Sequence, residues 1–523
     1  MRSVLLLLAP LLIAAAPAAD RAASWWRHVE TLAADDMEGR EAGSEGHRRA
    51  SDYVAARFGD YGLEPAGENG GWFQTVTLEE RTMLADGTRA SLVTESGAAP
   101  LAIPGDLFFR IGGGPPPERV DAPLLFVGYG LHLPEAGHDD LAGIDLTGKI
   151  AVVSTGDPSG LPDNLKSHAR AERARLLAAR GALGMILVGP LVPGEQPWAN
   201  LSRIGESPGM YPAAAEARSL AAPFFTAYFN PAEAEKLFAG SPRRFADISA
   251  DAVAGRPLAG FALRPRLAAT IATRARTIVT RNVVGRLRGQ GLAQEHVVLS
   301  AHLDGIGISR PVDGDSIYNG ALDNAAGVAA LLDIAEHFQR QRARPRRSVL
   351  FVALTAEEKG LLGSRWFARM PTVPRASIVA NLNYDMALPL FPLTGVTVLG
   401  AEESSLGAEA RAVGARMGLE VLPDPLPQRN SFIRSDQYSF IEAGIPAVAF
   451  KFGFRAGTPE AATEQAWRAT RYHGPTDDAA QRVFREDEIR LHDFIAALAL
   501  RVADAEARPR WNDDSFFRRF ARD

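Results

Sequence analysis

The 523-residue chain contains no cysteine. That removes disulfides, thiolate metal sites, iron–sulfur clusters and thiol catalysis together, so any metal site has to be assembled from His, Asp and Glu. Lysine is scarce as well: it occurs only at positions 149, 166, 236, 359 and 451, the other basic residues being arginine. With 57 basic against 62 acidic residues the net charge is −5, and composition gives no case for nucleic-acid binding. Gly 49 and Pro 35 are too few for a collagen-like or low-complexity chain. Beyond the N-terminal segment no apolar run is long enough to span a bilayer. What is there, 46% apolar and 23% charged residues, is the composition of a globular protein with room for a large core.

The N-terminus carries its own signal. Arg2 precedes an apolar run over 4–16, and Ala16-Pro17-Ala18-Ala19 offers small residues before Asp20. This is the pattern of a secretory signal over 1–19, and the run is shorter than the roughly 20 residues of a spanning helix. The mature protein is expected to be exported, periplasmic or secreted, without stable membrane insertion.

Three patterns follow one another along the rest. Residues 20–80 read as helix, loop, helix and strand, with helical apolar spacing over 45–62 and strand alternation over 73–78. From about 84 to 275, short β-like runs alternate with Gly/Pro-rich turns around one helix at 168–180, as in a small β-rich module. From 277 on, strands (283–287, 296–301, 348–354, 377–384, 396–399, 447–450) alternate with helices (325–341, 361–370, 405–417, 486–503). That alternation predicts a layered α/β domain.

The chemistry collects at predicted strand ends. His302 and Asp304 close the strand 296–301, and residues two apart share one side of a strand, so the carboxylate is placed to accept from the ring of the histidine. Asp323-Asn324 opens the helix at 325. Glu357-Glu358 follows the buried strand 348–354, where adjacent carboxylates repel unless a cation compensates. Asp385 ends the strand 377–384, and His473 lies in the loop Tyr472-His473-Gly474-Pro475-Thr476-Asp477-Asp478. In open α/β sheets, sites form at the carboxyl edge. His302, Asp323, Glu358, Asp385 and His473 together suit two Zn²⁺ ions, with one His and one carboxylate for each and one carboxylate shared.

These strings resemble the co-catalytic di-zinc aminopeptidases of metallopeptidase family 28, a family that includes bacterial leucyl aminopeptidases and glutamate-carboxypeptidase-like enzymes. The matching stretches are Ala301-His302-Leu303-Asp304, Gly320-Ala321-Leu322-Asp323-Asn324-Ala325-Ala326-Gly327, Ala356-Glu357-Glu358-Lys359-Gly360, Asn383-Tyr384-Asp385-Met386 and Tyr472-His473. The resemblance implies a zinc exopeptidase fold, with a mixed, mostly parallel central sheet flanked by helices. It also implies roles. Asp323 bridges two zinc ions; His302 and Asp385 complete one site, Glu358 and His473 the other. Asp304 orients His302, Glu357 is the general base, and Tyr472 donates to the oxyanion. Arg434, in the string Arg434-Ser435-Asp436-Gln437, lies on the substrate side, where Gln437 replaces the family's usual His. A cis peptide between Asp323 and Asn324 is implied too.

Residues 105–258 resemble an inserted protease-associated (PA) domain through Val127-Gly128-Tyr129-Gly130, the stretch 140–150 and Gly181-Ala182-Leu183-Gly184. The expected division is a signal at 1–19, a first peptidase segment at 20–104, the PA-like insert at 105–258, a catalytic segment at 259–505 and a C-terminal tail at 506–523. The expected substrates are peptides with a free N-terminus. A carboxypeptidase of the same fold, using Arg434, Arg429 or Lys451 for a terminal carboxylate, remains an alternative. So does a non-catalytic, receptor-like relative.

Overall fold

The computed structural model describes residues 18–190, 198–202, 205 and 207–521. The signal expected over 1–19 lies outside them except for its last two residues, which open the first helix. Two compact units are present. One comprises residues up to 75, 280–426 and from 434 on; the other comprises 76–279 and 427–433.

The first unit is built on a mixed sheet. In chain order its strands are β1 (Glu64–Pro65), β2 (Phe73–Met83), β3 (Thr273–Leu287), β4 (Leu292–His302), β5 (Arg347–Leu354), β6 (Ile378–Asn383), β7 (Gly395–Leu399), β8 (Glu420–Leu422) and β9 (Ala447–Phe452). Their spatial order is β2-β3-β5-β4-β6-β9-β7-β8, with β1 on β3, and a tenth strand, Gly209–Pro212, pairs antiparallel with residues 78–81 of β2. The central strands β5, β4, β6 and β9 are mutually parallel, and β3 and β7 pair antiparallel at either side of them. Every residue of β5 and β6 is buried, as expected for parallel strands covered on both faces. Parallel pairing brings the carboxyl ends of β4, β5 and β6 side by side, which places the site.

The helices of this unit are α1 (Ala18–Leu32), α2 (Glu45–Asp60), α3 (Ala326–Arg340), α4 (Leu362–Arg369), α5 (Leu406–Met417), α6 (Gln437–Glu442), α7 (Pro459–Thr470) and α8 (Arg485–Asp504). The apolar stripe of α3 (Val328, Leu331, Leu332, Ala335, Phe338) joins Phe58 of α2, Val349 and Phe351 of β5 and Leu491, Phe494 and Leu498 of α8 in one core. α1 packs on α3 and α8. A buried ion network crosses the three: Arg21 holds Asp333 at 2.7 Å and Asp493 at 2.6 Å, and His492 lies between Asp333 (2.9 Å) and Glu488 (3.1 Å).

The second unit is an eight-stranded sheet in the order 97–101, 89–94, 261–270, 119–126, 150–154, 184–188, 225–229, 107–110, with the helix Asp163–Ala179. It is β-rich as expected, but its limits are wider than 105–258. Strands Arg89–Thr94 and Gly97–Leu101 precede that range and Phe261–Thr270 follows it, yet all three belong to the same sheet. The tail after 505 is docked: Trp511 and Phe517 are buried, Asn512 donates to the carbonyl of Glu402, and Ser515 donates to Glu403. Among the described residues no helix is long and apolar enough to cross a membrane.

Candidate metal centre

Five loops meet at the carboxyl edge, the fifth being the one after α7 that carries His473. β4 ends at His302, fully buried; β5 runs on through Thr355 and Ala356 to the two glutamates; β6 runs on to Asp385; and Asp323 lies in the turn before α3. Strained backbone collects here. Ala356 (φ 54°), Met386 (φ 51°) and His473 (φ 54°) are left-handed without being glycine, a conformation that persists only where its surroundings impose it. The Asp323–Asn324 peptide is cis. Asn324 ties this turn to its neighbours, accepting from the amide of Gly327 at 3.1 Å and donating to the carbonyl of Tyr384 at 3.0 Å.

The five residues expected as ligands do come together. His302 Nε2 stands 3.2 Å from Asp323 Oδ1 and 3.5 Å from Asp385 Oδ1. His473 Nε2 stands 3.3 Å from Asp323 Oδ2 and 3.3 Å from Glu358 Oε2. The two oxygens of Asp323 therefore face different histidines, and each histidine has a second carboxylate of its own. Ligand atoms of a tetrahedral ion with bonds of 2.0–2.1 Å are about 3.3 Å apart, so this spacing fits a pair of such ions. Asp385 Oδ1 is buried without a well-directed donor, an orphaned oxygen that a cation would satisfy.

The charges reinforce this. Burial, with Glu358, Asp436 and Asp385 nearby, pushes Glu357 well above the usual carboxylate range against the pull of His302. Burial and Asp323 push Glu358 up to about 8. Burial also works on Asp323, but hydrogen bonds from His302 and His473 outweigh it and hold its carboxyl well below the ordinary value. Burial raises the Tyr472 phenol, with Asp323 and Glu358 adding to it and Arg434 opposing. Without bound cations, this is a pocket in which several carboxylates compete for too little positive charge.

Asp304 differs from expectation in the atom it uses. His302 Nδ1 pairs with the main-chain carbonyl of Asp304 at 3.1 Å, while the nearer carboxylate oxygen is 4.0 Å away. The carboxylate instead accepts the amides of Glu357 (3.0 Å) and Glu358 (3.2 Å). Strand alternation shows which side a residue faces, but not which backbone it meets there. Asp477 plays the matching part on the other side and was not singled out in the sequence. Its carboxylate accepts the amides of Leu322 (3.0 Å) and Asp323 (3.0 Å) and the Gln481 amide (2.6 Å). Its only signal was its place four residues after His473, in the same loop.

The remaining expected residues are accounted for. The Tyr472 ring stacks on the His473 ring, centroids 3.8 Å apart. Arg434 is exposed, and its charge acts on Tyr472. Gln437 is buried and accepts from Asn383 at 2.8 Å, so it serves the sheet side of the site. Lys451 directs its ammonium to the carbonyls of Asp385 and Met386.

Fold and site together define an α/β protein with a cluster of potential metal-ligating side chains at a parallel strand edge. Residues 282–498 match the profile of peptidase family M28, and the chain carries a peptidase family M28 domain. A probable zinc metalloprotease of Pyrenophora tritici-repentis (strain Pt-1C-BFP) is 26% identical over 258 residues, 43% of this chain and 58% of that protein. A probable glutamate carboxypeptidase AMP1 of Arabidopsis thaliana is 36% identical over 186 residues, 33% of this chain and 24% of that protein. The chain thus spans less than two thirds of these curated relatives. The solved aminopeptidase from Aneurinibacillus sp. strain AM-1 shares the fold: TM-score 0.53, 20% identity, covering 94% of this chain and 98% of that one.

Proposed function

We propose that the protein is an exported, zinc-dependent aminopeptidase that removes N-terminal residues from peptides. The observation that carries this reading is the placement of the two Asp323 oxygens against two different histidines, each with its own second carboxylate. In this reading Asp323 would be shared between two zinc ions, His302 and Asp385 would hold one, and Glu358 and His473 would hold the other. Zinc bound to this set supplies Lewis acidity and an acidified water.

The chain's own residues do the rest. Glu357, held by its amide on Asp304, takes the proton of the attacking water as the new C–O bond forms. It returns that proton to the leaving amine as the C–N bond breaks. The Tyr472 hydroxyl donates to the oxygen on which negative charge develops. The surplus of carboxylates beside the scissile position favours a free α-ammonium, hence an aminopeptidase. Lys451, one of the cations a carboxypeptidase would need, is half-buried and already committed to two carbonyls.

The test is paired. Zinc content of the purified protein by mass spectrometry is expected to be two per chain, and aminoacyl-anilides are expected to be cleaved while their N-acetylated forms are not. Cleavage of both forms, or of C-terminal residues alone, sinks the aminopeptidase reading. The second unit, over 76–279, is proposed as a PA-like spacer without a ligand of its own.

A further inference from the structure

Arg40 is a fully buried arginine that forms no ion pair among the described residues. Its guanidinium instead donates to four main-chain carbonyls on three separate segments. Nε reaches Leu303 at 2.9 Å, Nη1 reaches Leu32 and Asn319 at 2.6 Å each, and Nη2 reaches Gly320 at 2.9 Å. Leu303 lies between His302 and Asp304. Asn319 and Gly320 open the turn that carries Asp323. One side chain therefore fastens the loop of the first histidine to the loop of the bridging carboxylate, and both to the end of α1.

The surroundings are shaped for it. Glu38, Gly39 and Arg40 are all left-handed (φ 53°, 63° and 55°), a strained turn that directs the side chain inward. A Cβ on Gly39 would meet the carbonyls of Tyr318 and Gly307 at 2.6 and 2.7 Å. A Cβ on Gly320 would lie 3.0 Å from Arg40 Nη2, and one on Gly305 would lie 2.7 Å from the carbonyl of Gly39. Gly320 leaves room for the guanidinium, while Gly39 and Gly305 let the turn that carries it pack against its neighbours. A buried charge is ordinarily paired. Here Asp304, Asp323, Glu358 and Asp477 act on the charge without pairing with it.

We infer that Arg40 is a positioning residue of the metal centre: it holds the His302 and Asp323 loops at their working separation before any metal binds, and it acts as a fixed cation among their carboxylates. Its link to zinc affinity rests on the metal-centre reading above, whereas its link to loop order does not. Lysine keeps the charge but has one donor atom, which cannot span carbonyls on three segments.

The experiment compares metal-free wild type, R40K and R347K by amide hydrogen exchange at 303–305 and 319–323, and then titrates each with zinc against a chelating dye. Arg347 is the control. It is equally buried and also donates to carbonyls, those of Val502 (3.2 Å) and Glu506 (3.3 Å), but it starts β5 and lies at the opposite end of that strand from Glu357. Metal-free wild type is expected to protect both segments. R40K is expected to exchange there at least about ten times faster and to bind zinc about 10–100-fold more weakly, the usual effect of losing an outer-shell partner. R347K is expected to change neither.

The inference is overturned if R40K leaves both exchange and zinc affinity at wild-type values, or if R347K matches R40K. Should R40K not fold, the wild type decides: free exchange at these segments until zinc is added overturns it, and protection without zinc supports it. If wild type takes up no zinc, the metal-centre reading fails, while the exchange data still judge Arg40.

Discussion

Asp304→Asn separates two accounts of one carboxylate. If Asp304 acts through the His302 ring, its side chain matters only when that ring holds a metal. The geometry gives it another task, since both oxygens accept main-chain amides, from Glu357 at 3.0 Å and Glu358 at 3.2 Å, in a fully buried setting. Asparagine keeps one acceptor oxygen and turns an NH₂ toward the other amide. One charge-assisted bond, worth about 1.5–3 kcal/mol, is lost, and a buried N–H is left without an acceptor, so the net loss should be about 2–4 kcal/mol. This loss should be present in metal-free protein. Urea unfolding of chelator-treated wild type and Asp304→Asn measures it directly, with Asp304→Glu as a variant that keeps the charge but misplaces it. An unchanged midpoint for metal-free Asp304→Asn, with a difference appearing only after zinc is added, would refute the amide-holding role and restore the histidine-orienting one.

Further outcomes follow from the same geometry. Glu357→Gln should keep two zinc ions per chain while kcat falls about 10²–10⁴-fold, and Glu358→Ala should lose zinc chiefly from the site shared with His473; the opposite pattern in metal content reverses the two roles. Removing zinc with a chelator should lower the midpoint of thermal unfolding, because an ion held at about 1,000 times its Kd contributes about 4 kcal/mol; an unchanged midpoint argues against a bound metal. His492 gives a pH dependence away from the centre. Burial lowers its pKa, but Asp333 and Glu488 outweigh burial and raise it from 6.5 to about 9. A raised folded pKa stabilises fully below the unfolded value and is lost as pH rises through the folded one, so about 3 kcal/mol should disappear between about pH 6.5 and 9.5. Unfolding of His492→Asn alongside wild type checks this, and an identical slope in both rules it out.

Much of this was legible in the sequence because it depended on local pattern. Buried apolar runs followed by helical periodicity placed β4, β5, β6 and β9 and the helices α3, α4, α5 and α8 within a residue or a few. His302, Glu358 and Asp385 were legible as candidates because they sit where such strands end, whereas Asp323 lies in the turn before α3 and His473 in the loop after α7. What was hidden depended on long-range partners. The strands Arg89–Thr94 and Phe261–Thr270 pair across almost the whole second unit, so neither end of that unit announces itself locally. Arg40 was not singled out in the sequence, and only its partners, carbonyls up to 280 residues away, show that it is buried. The tail docks through Trp511 and Phe517, two aromatic residues in a charged stretch whose cover comes from elsewhere.

The chain order of the two units has a consequence for biosynthesis. The second unit is one nearly uninterrupted run, 76–279, whereas the first is assembled from pieces on either side of it. As the chain is made, the eight-stranded sheet can close as soon as its last strand, Phe261–Thr270, emerges. The first unit has to wait: the partners of Arg21 lie 312 and 472 residues further on, and α8 is nearly the last element completed. Until then α1 and α2 present an apolar stripe with nothing to cover it, the kind of surface that chaperones bind. The order of synthesis thus makes the β-rich unit an early folded island and the first unit a late closure around residues translated first.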